Sequence, residues 1–235
     1  MNNWVTKSNY KITQVLSGRC NVFLLSNGKT NILIDTSTKS NQKKLFKQLN
    51  NSKIKNIDYL ILTHTHFDHA TNTHAIKNEF GSRIIVHSSE NDLLETGRAI
   101  LPKGTNFITK NLVLFIGNRI AHKFDFTPSK ADIIIDYYYS LKDIGFNAYL
   151  LHTPGHSVGS TSLIIDNEIA IVGDALFGIF RGSIFPPFAD DTKELIKSWG
   201  KLLDTGCSIF LPSHGFARNR GLIEKAYLQR KKLLY

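Results

Sequence analysis

The densest cluster of polar residues in the chain follows directly after an apolar stretch. Tyr59 to Leu62 predict a buried strand, and the residues from Thr63 to His69 read Thr-His-Thr-His-Phe-Asp-His. Three histidines and an aspartate packed so densely beside a core need a partner, because unpaired buried polar groups are costly. In an extended segment, His64 and His66 point to the same side. The cluster therefore predicts a metal site at the end of a strand.

Three more apolar segments predict strands, and each is followed by a candidate metal ligand. The segments are Ala148–Leu151, Ile169–Val172 and Ile209–Leu211, and the ligands that follow them are His156, Asp174 and His214. Packed sheets would bring these groups to one rim of the domain. A mixture of imidazoles and carboxylates suits zinc. Taken singly, such a histidine is more often a surface residue, and Asp174 after a glycine is more often a turn or cap residue.

The rest of the chain predicts one α/β domain spanning residues 1–235. Ser-Gly and Asn-Gly pairs separate short strands and indicate antiparallel hairpins near the amino terminus. The predicted strands are Val15–Leu16, Asn21–Leu25, Asn31–Ile34 and Ile84–Val86, and the predicted helices are Asn41–Asn50 and Ala70–Phe80. Residues 90–133 show no sustained periodicity, and we interpret them as an insertion that forms a lid.

Composition and charge are typical of a globular protein and do not name a partner. No apolar stretch approaches the length of roughly 18 residues that a membrane-spanning helix needs. Cys20 and Cys207 lie far apart, which predicts neither a disulfide nor a thiolate metal site, and we expect a cytoplasmic location. The net charge of +10 arises from lysines scattered along the chain. This charge neither favours nor rules out a nucleic-acid partner. The sequence does not disclose the oligomeric state.

The segment His64-Thr65-His66-Phe67-Asp68-His69 resembles the signature motif of the metallo-β-lactamase superfamily, and the later candidate ligands follow in the family's order. The resemblance covers nearly the whole chain and implies a four-layer αββα sandwich. It implies that one metal ion is held by His64, His66 and His156. A second ion would be held by Asp68, His69 and His214, and Asp174 would bridge the two ions. Asp35 resembles the family's acid that orients a ligand, and a capping or turn role is the alternative.

Differences from the family pattern narrow the set of family branches that the chain resembles. Asp174 stands where the antibiotic-degrading branches place a cysteine, and His66 stands where flavodiiron relatives carry a glutamate. The chain is therefore similar to hydrolases with a bridging aspartate, and loosely similar to glyoxalase II and lactonase-like members. Ala70 and Thr71 replace two glycines that many members show, which leaves open where the next helix begins.

The resemblance implies a dinuclear metal-dependent hydrolase. Two divalent ions, zinc in the first place and iron or manganese as alternatives, would share a bridging hydroxide that attacks an ester, thioester or lactone of a small molecule. Asp68 is the candidate proton shuttle. In the aromatic segment after Asp174, we predict that Phe177, Phe180 and Arg181 contact the substrate, although such phenylalanines equally suit a core. The alternatives are a phosphodiesterase or nuclease of the same fold, and a metal-binding protein without turnover.

Overall fold

The computed structural model describes residues 2–18, 20–52, 54–117 and 120–234. These residues form two β-sheets that are stacked face to face, with helices packed on both outer faces. The α/β class and the four-layer αββα sandwich predicted from the sequence are thus confirmed. None of the helices in the described ranges is both long and apolar enough to cross a membrane.

In the described part of the chain, the strands of the first sheet lie in sequence order. They are β1 (Asn3–Val5), β2 (Lys11–Leu16), β3 (Val22–Ser26), β4 (Asn31–Ile34), β5 (Tyr59–Ile61), β6 (Arg83–His87) and β7 (Ile133–Ile135). The first four strands pair antiparallel, and β4 to β7 pair parallel. The carboxyl ends of the parallel strands therefore meet at one edge of this sheet.

The second sheet has the spatial order β13-β12-β11-β10-β9-β8 among the residues described. Its strands are β8 (Tyr138–Ser140), β9 (Ala148–His152), β10 (Thr161–Ile165), β11 (Ile169–Gly173), β12 (Ile209–Pro212) and β13 (Arg218–Asn219). Strands β11 and β12 run parallel, whereas their neighbours pair antiparallel. Asp174 and His214 follow these two parallel strands and so lie on the same side of the sheet.

Helices cover both outer faces of the sandwich. Those described are α1 (Gln42–Asn51), α2 (Phe67–Ala70), α3 (Thr73–Phe80), α4 (Ser88–Thr96), α5 (Phe107–Leu112), α6 (Thr192–Asp204) and α7 (Arg220–Arg230). A π-helical turn, Val113–Gly117, continues α5, and short 3₁₀ turns lie at Lys39–Asn41, Ala121–Phe124, Lys142–Ile144 and Lys231–Leu233. The predicted helix from Ala70 to Phe80 is interrupted, since α2 ends at Ala70 and α3 begins at Thr73.

Alternation along the strands builds three apolar layers. In β3, Phe23 and Leu25 enter the core between the two sheets, while Val22 and Leu24 face the helices on the first sheet. Ile164 likewise packs under the helices of the second sheet, where Trp199 is fully buried. Because successive side chains of a strand point to opposite faces, strands covered on both sides are apolar throughout.

Residues 90–133, which the sequence suggested as one insertion, divide into packed and projecting parts. Leu94 of α4 and Phe126 belong to the core layer on the first sheet, so both ends of the segment are part of the sandwich. The middle of the segment, about residues 100–125, carries α5 and the π-helical turn and exposes Phe107 and Ile108. Only this middle part has the position that a lid requires, and the lid remains a prediction.

Candidate metal centre

The two sheets are joined at the edge where the ligand-bearing loops emerge. The loop after β5 carries His64 to His69, and its Thr63 carbonyl accepts a hydrogen bond of 2.9 Å from the Thr161 amide at the start of β10. The loop after β12 is tied to the end of β11, since the Ser213 amide donates to the Gly173 carbonyl at 2.9 Å. Residues distant in sequence are thereby brought to one rim, as the pattern of strands predicted.

The first predicted group of ligands, His64, His66 and His156, is buried and compact. The ring centroid of His64 lies 4.5 Å from that of His66 and 4.7 Å from that of His156. His66 Nδ1 and His156 Nε2 are 2.9 Å apart. One nitrogen of each of the three rings lies within 4.8 Å of the other two, a spacing at which a single cation could contact all three.

The second predicted group, Asp68, His69 and His214, lies beside the first. His214 Nε2 is 3.3 Å from Asp68 Oδ2, and His69 Nε2 is 3.7 Å from Asp68 Oδ1. These ligand atoms also lie within 4.8 Å of one another. The structure therefore brings together the residues of the second group as closely as those of the first.

Asp174 lies between the two groups. Its Oδ2 is 3.4 Å from His156 Nε2 and 3.2 Å from His214 Nε2, while its Oδ1 is 3.6 Å from His69 Nε2. The preceding Gly173 has φ of 54°, and a Cβ there would lie 2.8 Å from the Cβ of Thr63. Glycine thus allows the end of β11 to approach the loop after β5, which sets the position of the carboxylate between the histidines.

Contacts on the far side of the rings fix the orientation of three histidines. His69 Nδ1 lies 2.8 Å from Asp35 Oδ2, His156 Nδ1 lies 3.0 Å from the Phe188 carbonyl oxygen, and His64 Nδ1 lies 3.1 Å from Thr63 Oγ1. A nitrogen that donates to oxygen carries the proton, so for His69 and His156 the Nε2 atom carries the lone pair. That atom is the one that faces the centre.

Asp35 is the acid behind His69. It is fully buried, at φ of 61°, and accepts hydrogen bonds from the Thr63 amide at 2.8 Å and from Ser213 Oγ at 3.1 Å, besides its contact with His69. One carboxylate therefore links the loop after β5 with the loop after β12. The orienting role that the sequence suggested for Asp35 agrees with these contacts.

His64, His66 and Asp174 are in the protonation states that a cation binds. Burial lowers the pKa of His64 well below its usual range and that of His66 to about 3, and neighbouring histidines lower both further, so these rings are neutral. Burial by itself raises the pKa of Asp174, but His214, His69 and His156 outweigh it and hold the pKa well below the usual range. Neutral imidazole and ionised carboxylate are the forms that bind metal. Burial lowers the pKa of His69 and of His214, but neighbouring acidic groups outweigh it, raising the pKa of His69 well above its usual range and that of His214 to about 9. These two rings therefore release a proton when a cation binds.

Cys20 lies close to the centre without facing it. Its Sγ is 3.6 Å from His69 Nδ1, on the side of the ring that contacts Asp35. Burial raises the pKa of the Cys20 thiol to about 12, so the thiol remains protonated at neutral pH. Cys20, Asp35 and His69 have possible ligand atoms within 4.8 Å of one another, but they meet on the side of the His69 ring that faces away from the other candidate ligands. Cys207 is also buried and unpaired.

Three buried atoms at the centre have no hydrogen-bond partner in the structure, namely His64 Nε2, His69 Nε2 and Asp174 Oδ1. Buried polar atoms are nearly always satisfied, so atoms left without a partner in one place indicate a missing ligand. Imidazole nitrogens and carboxylate oxygens are donors typical of zinc and of other divalent transition metals. The seven side chains therefore fit a pair of cations.

Glu90, which the sequence placed at the start of an insertion, is a buried carboxylate next to the centre. It accepts hydrogen bonds from the amide and hydroxyl of Thr65, from Ser157 Oγ at 2.6 Å and from the Gly159 amide at 3.1 Å. Thr65 lies between His64 and His66, and Ser157 follows His156 in the chain. Glu90 therefore ties together the two loops that carry the first ligand group, and nothing in the local sequence signalled this role.

We expect Glu90→Gln to weaken metal binding by the first group about 10-fold to 100-fold, the usual cost of removing a contact that orients a ligand. The amide nitrogen that replaces one oxygen cannot accept from Thr65 or Gly159. Metal affinity is measured by competition with a chromophoric chelator, alongside the midpoint of thermal unfolding.

Glu95→Gln is the matched control for this substitution, because Glu95 is exposed on the same helix α4. Wild-type metal affinity in the Glu90 variant would show that the carboxylate does not position these ligands.

A cavity of about 520 Å³ opens directly onto the centre and is lined by His66, Asp68, His156, Asp174 and His214 together with apolar side chains. Phe177 lies in the lining and stacks on His214 at a centroid distance of 4.7 Å. Phe180 and Arg181 are exposed and lie outside the lining, next to a turn at residues 181–182. Of the three predicted substrate contacts, the structure thus brings only Phe177 to the cavity.

Comparisons with known proteins show the family of the chain. The sequence model of the metallo-beta-lactamase superfamily matches residues 17–214. A probable metallo-hydrolase of Methanocaldococcus jannaschii is 30% identical over 163 residues, which cover 69% of this chain and 70% of that protein. A hydroxyacylglutathione hydrolase of Shewanella pealeana is 25% identical over 158 residues, covering 63% of this chain and 48% of that protein.

A solved metallo-beta-lactamase of Cronobacter sakazakii with an HARLDQ motif superposes with a TM-score of 0.69 at 16% identity, covering 100% of this chain and 94% of that chain. At this level of identity the likeness shows the fold alone.

Proposed function

Because the chain belongs to the metallo-beta-lactamase superfamily, we propose that it is a dinuclear metal-dependent hydrolase that cleaves an ester, thioester or lactone bond of a small molecule. The observation that carries the proposal is the convergence of seven ligand side chains with unpartnered buried atoms at the floor of an apolar cavity. A relative named as a hydroxyacylglutathione hydrolase supports hydrolysis of a small molecule.

His64, His66 and His156 would hold one cation, and Asp68, His69 and His214 the other, with Asp174 shared between them. Zinc is the metal that this donor set favours, and iron and manganese are the alternatives. When bound, two divalent cations lower the pKa of a shared water and polarise the oxygen of the bond that is cleaved. The burial of the ligands supports such a role, because exclusion of bulk water strengthens electrostatic interactions.

Asp68 is the group we assign to proton transfer. Its side chain is 20% exposed, more than any of its ligand neighbours, and it lines the cavity. Oδ2 lies 3.3 Å from His214 Nε2 and Oδ1 lies 3.7 Å from His69 Nε2, so a carboxylate that holds the second cation through one oxygen leaves the other for taking a proton from the attacking water. The same atom can then pass that proton to the leaving oxygen or sulfur, so no other general acid is required.

A nuclease or phosphodiesterase of the same fold is the second candidate, and only the net charge of +10 favours it. Among the described residues, no lysine or arginine lines the cavity. A nucleic acid carries further phosphates on either side of the one that is cleaved, and holding them needs cationic or amide donors outside the metal centre. The cavity therefore supports a substrate without such flanking phosphates, and the scattered lysines fit a general charge bias of the chain.

Hydrolysis of a neutral ester is expected to respond weakly to salt, with kcat/KM changing less than about twofold between 50 and 200 mM NaCl. Binding that neutralises several phosphates would weaken by orders of magnitude over the same range. The measurements are kcat/KM for a neutral p-nitrophenyl ester and the dissociation constant for a single-stranded oligonucleotide at each salt concentration, together with the rate for a bis-p-nitrophenyl phosphodiester at the lower one. A phosphodiester hydrolysed faster than any carboxylic substrate would favour the nuclease.

The proposal is tested by purifying the protein with zinc and assaying a panel of esters, thioesters and lactones at matched metal content. Turnover of at least one class that is lost on chelation and restored by zinc supports a hydrolase. Stoichiometric zinc without turnover of any carboxylic or phosphate substrate would instead support a metal-binding protein with no catalytic role.

A further inference from the structure

The wall of the cavity beside the metal centre is made of aliphatic and aromatic side chains. The wall includes Leu101, Leu112, Val113 and Ile120 from the projecting segment of residues 100–125, and Phe177 and Phe188 from the segment after β11. Phe67 and Phe124, which also line the cavity, stack with centroids 4.4 Å apart and so join the projecting segment to the loop after β5.

Charged groups are absent from this wall in the part of the chain that the structure describes. Every titratable residue in the lining belongs to the centre itself. Lys103 and Lys110 line a separate groove, which shares Val113 with the cavity. A carboxylate, ammonium or phosphate placed deep in the cavity would lose its hydration without gaining a partner, which is strongly unfavourable.

We propose that the substrate carries an uncharged apolar group on the reacting carbonyl, and that this cavity binds it. The cavity volume of about 520 Å³ lies within the range of small-ligand sites and suits an acyl group of roughly eight to twelve carbons. The inference rests on the proposed hydrolase, since it names the acyl group that this site accepts. It assigns specificity to hydrophobic burial, with no ionic contact to the acyl group.

The first test is a series of p-nitrophenyl esters with acyl chains of increasing length from acetyl to decanoyl. We expect kcat/KM to rise about fourfold for each added methylene until the cavity is filled, the factor that corresponds to burying one methylene. For an ester with a carboxylate at the far end of a ten-carbon acyl chain, most of the increase in kcat/KM over the acetyl ester is expected to be lost. Equal rates for acetyl and decanoyl esters, or a preference for the carboxylated chain, would overturn the inference and leave the hydrolase intact.

The second test changes the wall. Leu112→Ala is expected to lower kcat/KM for the decanoyl ester about tenfold and that for the acetyl ester less than twofold, because only the long chain reaches this side chain. Leu114→Ala is the matched control, since Leu114 lies outside this cavity and is 71% exposed. Equal losses for the two esters in the Leu112 variant would contradict the assignment.

A binding measurement separates this inference from the proposed activity. Metal-free protein is titrated with 2-decanone and with 2-butanone, neutral ketones that cannot be hydrolysed, and the heat of binding is recorded. Tighter binding of the longer ketone, weakened by Leu112→Ala, supports the apolar site even if no ester is turned over. Equal or undetectable binding of both ketones would count against it.

Discussion

Replacing His156 with alanine is expected to reduce bound zinc from two ions per chain to one and to lower kcat/KM by about a thousandfold or more. His156 Nε2 lies 2.9 Å from His66 Nδ1 and 3.4 Å from Asp174 Oδ2, so its loss removes a nitrogen from the first group and a neighbour of the shared carboxylate. A bound cation contributes several kcal/mol of charge stabilisation in the transition state, which corresponds to a rate effect of this size. His66→Ala is expected to have the same two effects.

Metal content by atomic emission and kcat/KM for the best ester are the measurements. His122→Ala is the control, because His122 is exposed and belongs to none of the ligand groups. Two zinc ions in both the His156 and the His66 variants would remove these residues from the ligand set, whatever happened to the rate.

Replacing Asp68 with asparagine is expected to lower kcat between about a hundredfold and ten-thousandfold, the usual contribution of a positioned acid or base. Asparagine keeps the shape of the side chain and one carbonyl oxygen near His214 Nε2, but it cannot take up a proton at neutral pH. The midpoint of thermal unfolding should therefore change little, and KM should change less than kcat. The expected pattern is a loss of rate without a comparable loss of structure.

Steady-state kinetics and metal content of the Asp68 variant distinguish proton transfer from metal binding. Asp92→Asn is the control, because it makes the same change from aspartate to asparagine at an exposed position on α4. A variant with full metal and a wild-type rate would contradict the shuttle. A variant that lost the second ion would show that Asp68 acts mainly as a ligand.

The layers of the fold were predictable because the strands are apolar on both faces. The run from Tyr59 to Leu62 and that from Ile169 to Val172 gave strands within one residue of β5 and β11, since only burial between two layers explains such continuous apolar runs. The ligands were predictable for the same reason, because polar residues after such a strand lie at its rim. The spacing of the candidate ligands and their order along the chain were therefore enough to predict most residues of the candidate site.

Features that depend on tertiary contacts could not be predicted. At the break between α2 and α3, the side-chain amide of Asn72 donates to the carbonyls of Thr36, Ser37 and Thr38, in a loop that is distant in sequence. The role of Glu90 likewise depends on two loops that meet only in the folded chain.

The helices α6 and α7 were not predicted from the sequence. Much of α6 is nonetheless apolar on one face, since Leu195, Ile196, Trp199 and Leu202 are buried. A search for 3.6-residue periodicity in this segment would have found that helix. By contrast, α7 buries only Ile223, so its sequence offers little periodic signal. The exposure of Arg181 follows from a turn that local composition does not specify.

The account depends on a pair of cations bound at the rim of the sandwich, and diffraction from crystals grown with zinc tests it most directly. Anomalous difference maps at the zinc edge should show two peaks per chain, one beside His64, His66 and His156 and one beside Asp68, His69 and His214. Their separation is expected to be about 3.5–4 Å, with Asp174 between them. Crystals that diffract well with excess zinc and show no peak at either position would contradict the account.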